Sequence, residues 1–97
     1  MKVEWTEPAF KNLEGIYQYI SLDSPYHAKS FSNNLFKATE KLEVFPRMGK
    51  VVPEAEDYDE EIRELIYQSY RIIYQVEEDK GSVYILSVIH GSKEPRV

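Results

Sequence analysis

With 97 residues, the chain is long enough for one domain with a modest core, so we expect a single domain over residues 1–97. Hydrophobic residues make up 42% of the sequence and aromatic residues 13%, which excludes a disordered tail. The formal net charge of -5 argues against broad nucleic-acid binding, because proteins that bind nucleic acids usually present a basic face. The chain has no cysteine, which excludes disulfides and thiolate metal sites.

The first half of the chain predicts a short strand and two helices. Val3 to Trp5 has the pattern of a strand, and Thr6 is a suitable cap for a helix that ends near Leu22. Ser24 and Pro25 then open a second helix, which Pro46 stops. The apolar residues that recur at helical spacing in this second helix are Ala28, Phe31, Leu35, Ala38, Leu42 and Phe45. The short break between the helices predicts an antiparallel helical hairpin.

The second half predicts a loop followed by three strands. Gly and Pro residues interrupt the segment from Arg47 to Glu60, and the predicted strands run from Ile62 to Tyr67, from Tyr70 to Glu77 and from Ser82 to His90. Strands joined by such short turns pair antiparallel. The predicted fold is α+β, with an N-terminal strand and an antiparallel helical hairpin packed on a mostly antiparallel four-stranded sheet.

Arg71 is the first candidate for a functional residue. It lies between apolar residues of a predicted strand, where a guanidinium is costly unless it is paired or exposed. Arginine binds phosphate or carboxylate groups through two parallel hydrogen bonds, which suits a site. The simpler interpretation, which we favour from the residue alone, is a surface pair with Glu64 or another acid on the adjacent strand.

Further candidates lie near Arg71 in the predicted sheet. His90 ends the last strand and can serve as an acid or base near neutral pH, although a strand-end histidine without a role is commoner. Arg63, Lys50 and Lys93 can join a positive patch with Arg71, and Tyr70 can stack on a base. Their simpler interpretations are solvated surface for the cations and packing under the helices for the tyrosine.

The sequence predicts neither a metal nor a cofactor. It contains two histidines far apart and no cysteine, which does not make a zinc site. The acidic run from Glu54 to Glu61 lacks the ligand spacing of a calcium loop, so we interpret it as a solvated loop. The chain has no run of about 20 apolar residues and opens without an apolar signal region, so we expect a cytoplasmic protein that does not cross a membrane.

Several short motifs together resemble the RelE/ParE superfamily of toxins from bacterial toxin–antitoxin pairs. They run nearly from end to end and their order and spacing match. The stretches that carry the resemblance are 3–9, 13–20, 42–50, 62–65, 70–74 and 88–93. The resemblance implies a compact α+β toxin that a cognate antitoxin neutralises. It implies one of two targets: RelE-like members cut messenger RNA on the ribosome, and ParE-like members inhibit DNA gyrase without enzymatic activity.

The resemblance also implies roles for individual residues. Arg71 matches the arginine that RelE-like nucleases place on the reacting phosphate, and His90 and Lys93 fall in the region where those nucleases carry further basic or acid–base residues. We therefore expect a ribosome-dependent endoribonuclease in which Arg71, Arg63 and His90 are catalytic, while Lys50, Lys93 and Tyr70 bind substrate. Inhibition of gyrase and an inactive toxin fold that only binds its antitoxin are the alternatives. The acidic charge of the chain favours these alternatives.

Overall fold

The computed structural model describes residues 1–92. Its helices and strands are β1 (Lys2–Trp5), α1 (Glu7–Ser21), α2 (Pro25–Glu40), β2 (Lys50–Val51), β3 (Glu61–Tyr67), β4 (Tyr70–Glu77) and β5 (Ser82–His90). No helix in this part of the chain is long and apolar enough to cross a membrane. The predicted sequence of strand, helical hairpin and three further strands is confirmed.

The strands form one mixed sheet in the order β1-β5-β4-β3-β2. Strand β1 is parallel to β5, and the other neighbouring pairs are antiparallel. The α+β prediction is therefore confirmed, with one strand more than the four expected. The additional strand, β2, lies within the predicted loop and pairs Lys50 with Glu64 and Val51 with Arg63. Two residues are too few to show the alternation that identifies a strand in a sequence.

The two helices cover one side of the sheet, called here the helix face, to which Tyr70, Ile72, Tyr74 and Val76 of β4 point. Thr6 caps α1 and Ser24 caps α2 through their side-chain oxygens, as their positions predict. Burial of apolar surface between the hairpin and the sheet stabilises the fold. The buried residues of this core are Ala9, Leu13, Phe31, Leu35, Leu42, Ile72, Tyr74, Val76, Val83, Ile85 and Val88.

The second helix ends earlier than predicted. The α-helix stops at Glu40 and a 3₁₀ turn covers Lys41–Glu43. A 3₁₀ turn has 3.0 residues per turn instead of 3.6, so residues after it no longer return to the same helical face. Leu42 is still buried, but Phe45, predicted for the buried face, is 64% exposed.

The opposite side of the sheet, called here the loop face, carries Arg71 and Ile73 of β4 and is partly covered by the loop after β2. Val52 and Ala55 of this loop pack on Ile62 and Ile73 in a second buried cluster. The loop is therefore anchored by apolar burial as well as by its chain connections.

A β-bulge in β5 sets the register of the sheet near its C-terminal end. Tyr74 pairs with Ile85, but the preceding residue Ile73 pairs with Ser87, so Leu86 is the extra residue. Side chains alternate between the two faces along a strand, and one extra residue shifts every later side chain to the other face. The bulge therefore decides which end-of-strand residues share a face with Arg71.

Gly49 enters the sheet at a place where only glycine fits. A Cβ atom there would lie 2.6 Å from the Tyr74 hydroxyl oxygen and closer still to the Glu64 carbonyl oxygen. The Gly49 N–H donates to the Tyr74 hydroxyl at 3.0 Å, and the Gly49 carbonyl accepts from Arg63 at 2.8 Å. Tyr74 is fully buried, and this burial raises the pKa of its hydroxyl. These contacts fix the start of β2.

We expect Tyr74→Phe to destabilise the protein, because the buried Gly49 N–H loses its acceptor. An unsatisfied buried donor costs about 1–3 kcal/mol, measured as the change in free energy of unfolding in urea. Tyr84→Phe is the matched control: Tyr84 is half-buried on β5 and its hydroxyl has no hydrogen-bond partner within residues 1–92, so we expect a loss below about 0.5 kcal/mol. Equal losses would contradict a special role for the Gly49 contact.

Candidate functional site

Arg71 is held between two carboxylates on the loop face. Its Nε and Nη2 donate to the two oxygens of Glu64 at 3.1 and 2.9 Å. Its Nη1 and Nη2 donate to the two oxygens of Glu54 at 3.1 and 3.0 Å. Both pairs have the two parallel hydrogen bonds that make arginine–carboxylate contacts strong. The pairing of Arg71 with Glu64, expected as the simpler interpretation, is therefore present, and Glu54 of the acidic run joins it.

The Arg71 pair is more buried than a surface pair. The side chain of Arg71 is 11% exposed and that of Glu64 is 3% exposed, whereas that of Glu54 is 33% exposed. The hydrogen bond to Glu54, and to a smaller extent the one to Glu64, raises the pKa of Arg71. The hydrogen bond from Arg71 lowers the pKa of Glu54. The guanidinium of Arg71 and the carboxylate of Glu54 therefore keep their charges at neutral pH.

A cleft of about 420 Å³ adjoins the Arg71 pair. Its lining includes two predicted substrate-binding residues, Lys50 of β2 and Tyr70 of β4, as well as Gln68 and Ser69 of the turn between β3 and β4. Gln68 has a positive φ of 52°, a left-handed backbone conformation that residues other than glycine adopt at a cost in energy. The structure thus brings Arg71 and Lys50 together on the loop face, whereas Tyr70 borders the cleft at the start of β4 with its side chain on the helix face.

His90 lies on the other face of the sheet. Tyr70 pairs with His90 and Arg71 pairs with Ile89, so the His90 side chain points to the helix face beside Tyr70. Without the bulge, Arg71 would pair with Val88, and His90 would share the face of Arg71. The bulge in β5 therefore separates the two predicted catalytic residues.

The surroundings of His90 are those of an exposed side chain. Its ring packs edge-on against Tyr70 at a centroid distance of 5.8 Å. The Ser92 N–H donates to Nδ1 at 3.3 Å, and the Ser92 hydroxyl lies 2.9 Å from the same nitrogen. Nδ1 is thus an acceptor, and the neutral ring carries its proton on Nε2. These contacts tie the histidine to the strand end.

Arg63 also points to the helix face, because it pairs with Tyr74. Its Nε donates to Glu61 at 2.6 Å and its Nη1 to the Gly49 carbonyl at 2.8 Å. Arg63 is therefore separated from Arg71 by the sheet, and it holds the start of β2. Lys93, also predicted to bind substrate, lies outside the described residues.

Glu54 is the contact of Arg71 that the sequence did not reveal. It stands 17 residues from Arg71, in a run of acids where nothing distinguishes it from its neighbours. Glu64, by contrast, was identified from its place on the strand next to Arg71. Within residues 1–92, no group of three or more histidine, cysteine, aspartate or glutamate side chains is arranged to hold a metal ion.

The chain is similar to proteins of toxin–antitoxin systems. The family model described as the ParE toxin of type II toxin–antitoxin system, parDE, matches residues 3–95. A solved structure, the chromosomal ParDE system from P. aeruginosa, is 21% identical with a TM-score of 0.72, over 93% of this chain and 95% of that one.

The isolated E. coli RelE toxin is 18% identical with a TM-score of 0.63, over 96% of this chain and 86% of that one. At these identities the two structures show a shared fold alone. None of the curated protein sequences compared with the chain matches it.

We expect Arg71→Ala to destabilise the protein strongly, because it leaves the Glu64 carboxylate buried without its cation. Removing one member of a buried ion pair costs about 3–5 kcal/mol in free energy of unfolding. Loss of a surface pair, which the sequence alone predicts here, would cost less. Arg47→Ala is the control, because Arg47 also pairs with two carboxylates, Glu61 and Glu78, but its side chain is 46% exposed. A loss for Arg71→Ala no larger than that for Arg47→Ala would contradict the buried pairing.

The arginine pairs also predict how stability depends on pH. The bond from Arg71 lowers the pKa of Glu54. Burial raises the pKa of Glu61, but the hydrogen bonds and charges of Arg63 and Arg47 together outweigh burial and lower it. A carboxyl whose pKa is lower in the folded protein adds stability above its ordinary value of 4.5, and this stability is lost as pH falls through the lowered value. Urea unfolding from pH 7 to pH 3 measures this loss.

We expect the double variant Glu54→Gln, Glu61→Gln to lose less stability between pH 4.5 and pH 3 than the native chain. The matched control is Glu56→Gln, Glu60→Gln, which removes the same charge from the same segment but from side chains without ion pairs in residues 1–92. Equal acid sensitivity of both double variants would show that other carboxylates dominate the acid transition.

Proposed function

This chain belongs to the ParE toxin family of type II toxin–antitoxin systems, and from that premise we propose that it inhibits growth by binding a protein target and not by cutting RNA. Family membership implies a cognate antitoxin as one partner. The resemblance of the sequence to ParE-like toxins gives DNA gyrase as the proposed target. The observation that carries the proposal is the separation of the predicted catalytic residues.

A nuclease needs its acid and base within hydrogen-bond reach of the reacting phosphate. Arg71 is the residue that the sequence predicts to hold the phosphate, but it lies on the loop face, whereas His90 and Arg63 point to the helix face. Arg63 pairs with Tyr74 and His90 with Tyr70, so these two side chains are also well apart along β4. This arrangement supports a binding function more than acid–base catalysis.

Electrostatics around Arg71 also support protein binding. A phosphate would have to displace Glu54 from the guanidinium while the buried Glu64 remains beside it. The acidic run from Glu54 to Glu61 begins beside Arg71, and its carboxylates repel a polyanion that approaches the loop face. A folded protein surface can match this charge pattern locally, because charges on proteins are not confined to one sign.

We expect the purified protein to inhibit supercoiling of relaxed plasmid by DNA gyrase and to leave messenger RNA intact in a translation extract. His90→Gln should inhibit supercoiling within about twofold of the native chain, because the contacts of His90 are local to the strand end. His27→Gln, at the exposed start of α2, is the matched control for loss of an imidazole.

Ribosome-dependent cleavage that falls sharply in His90→Gln but not in His27→Gln would replace this proposal with the endoribonuclease. An absence of both activities in soluble, folded protein would leave antitoxin binding as the remaining role.

A further inference from the structure

Strand β5 has an edge that β1 covers only in part. Strand β1 pairs with β5 from Ser82 to Ile85 and then ends at Trp5, where the chain turns into α1. The end of β5, from Ser87 to His90, therefore has β4 on one side and no strand of the described chain on the other. An uncovered strand edge presents backbone groups that can pair with another chain.

The register of β4 and β5 identifies the backbone groups at this open edge. The Gly91 N–H donates to the Ser69 carbonyl, and every second residue of β5 before Gly91 bonds to β4 in the same way. Val88 and His90 lie between those residues, so their N–H and C=O groups point away from β4.

Only one of these outward groups is satisfied by α1. The Asn12 side-chain oxygen accepts a hydrogen bond from the Val88 N–H at 3.1 Å. The Val88 carbonyl and the His90 N–H have no hydrogen-bond partner within residues 1–92. The open edge thus offers one acceptor and one donor, which is what a parallel strand needs to add a residue.

A cleft of about 370 Å³ lies between this edge and α1, and it is called here the α1 cleft. The residues that line it include Lys11, Gly15 and Tyr19 of α1 and Tyr70, Val88 and His90 of the sheet. Tyr19 is 72% exposed, so an aromatic ring borders the cleft without being covered by the described chain. The unpaired backbone groups are therefore accompanied by space and by apolar surface.

Gly15 leaves room in the α1 cleft. It lies inside α1, where glycine is a poor helix former. A Cβ atom at this position would meet nothing within 4 Å, so packing of the described residues does not require glycine there. Its effect is to keep the wall of the cleft opposite the strand edge free of a side chain.

The charge of the α1 cleft differs from that of the chain as a whole. The sequence has 17 acidic residues, but no carboxylate lines the cleft in the part of the chain that the structure describes. Lys11 lines it, and the ion pair of Lys11 with Glu7 has side chains that are 70% and 78% exposed. Such a surface pair contributes little, so Lys11 can turn to an acid on a partner.

We propose that the α1 cleft binds an extended segment of a protein partner as an added strand parallel to β5, with an acidic side chain of the segment beside Lys11. One residue of the segment donates its N–H to the Val88 carbonyl and accepts from the His90 N–H. The added strand continues the line of β1, which is also parallel to β5. The assignment rests on the proposed function, in which the chain acts through protein contacts.

The test follows the His90 backbone N–H of isotope-labelled protein during titration with acetyl-Thr-Val-Glu-Val-Thr-amide at constant ionic strength. We expect a saturable change of this resonance and, at saturation, about tenfold slower exchange of its hydrogen with solvent. The same peptide with N-methyl groups on its three central residues should give no saturable change. A methylated nitrogen cannot donate to the Val88 carbonyl.

Two variants of α1 place the peptide in the cleft. Gly15→Leu should weaken binding about tenfold or more, because its side chain fills the space beside the strand edge. This variant should fold, since leucine is the better helix former and its Cβ meets no neighbouring atom. Gln18→Leu is the matched control, with the same side chain at another exposed position of α1, and it should bind within about twofold of the native chain.

Other outcomes overturn the proposal in distinct ways. An unchanged His90 resonance, or equal weakening by Gly15→Leu and Gln18→Leu, would show that the peptide does not dock in the α1 cleft. A methylated peptide that binds as tightly as its parent would show that no strand is added. Equal binding of acetyl-Thr-Val-Gln-Val-Thr-amide would overturn the pairing with Lys11. Because the titration needs neither gyrase nor ribosome, its result is independent of the supercoiling assay.

Discussion

The buried ion pair between Arg71 and Glu64 is the constraint on which the site depends. A guanidinium that is 11% exposed cannot stay in the sheet without a partner, and the neighbouring strand supplies one. The pair leaves Nη1 directed toward the loop, where Glu54 meets it. A buried pair of this kind adds little net stability compared with apolar residues, but losing one member is costly. In this fold the Arg71–Glu64 pair mainly fixes positions, because it holds β3, β4 and the loop that carries Glu54 around one guanidinium.

Sequence patterns predicted the elements well because their signals are local. The caps at Thr6 and Ser24 and the helical spacing of apolar residues identify the hairpin, and strand composition with short turns identifies β3 to β5. The end of α2 was wrong by several residues, since nothing at Lys41 announces a change from α to 3₁₀ geometry. Strand β2 was missed because its formation depends on Gly49 contacting Tyr74, a residue 25 positions away.

The candidate site was harder to predict because it depends on register. The two-residue turn at Gln68 and Ser69 is enough to place Glu64 and Arg71 on the same face of β3 and β4. The corresponding inference for His90 fails, because the bulge at Leu86 carries no recognisable sequence signal and reverses the face of every residue after it. Arg71 and His90 are on neighbouring strands, as expected, but on opposite faces.

The arginines also explain how an acidic segment can lie beside the sheet. Arg71 binds Glu54 at its start, and Arg47 and Arg63 bind Glu61 at its end. The carboxylates between them have no ion pair within the described residues, and they are Glu56, Asp57, Asp59 and Glu60. Negative charge is therefore compensated where the segment touches the sheet and uncompensated where it faces solvent. A polyanion that approaches the loop face must pass this uncompensated charge, which disfavours its binding there.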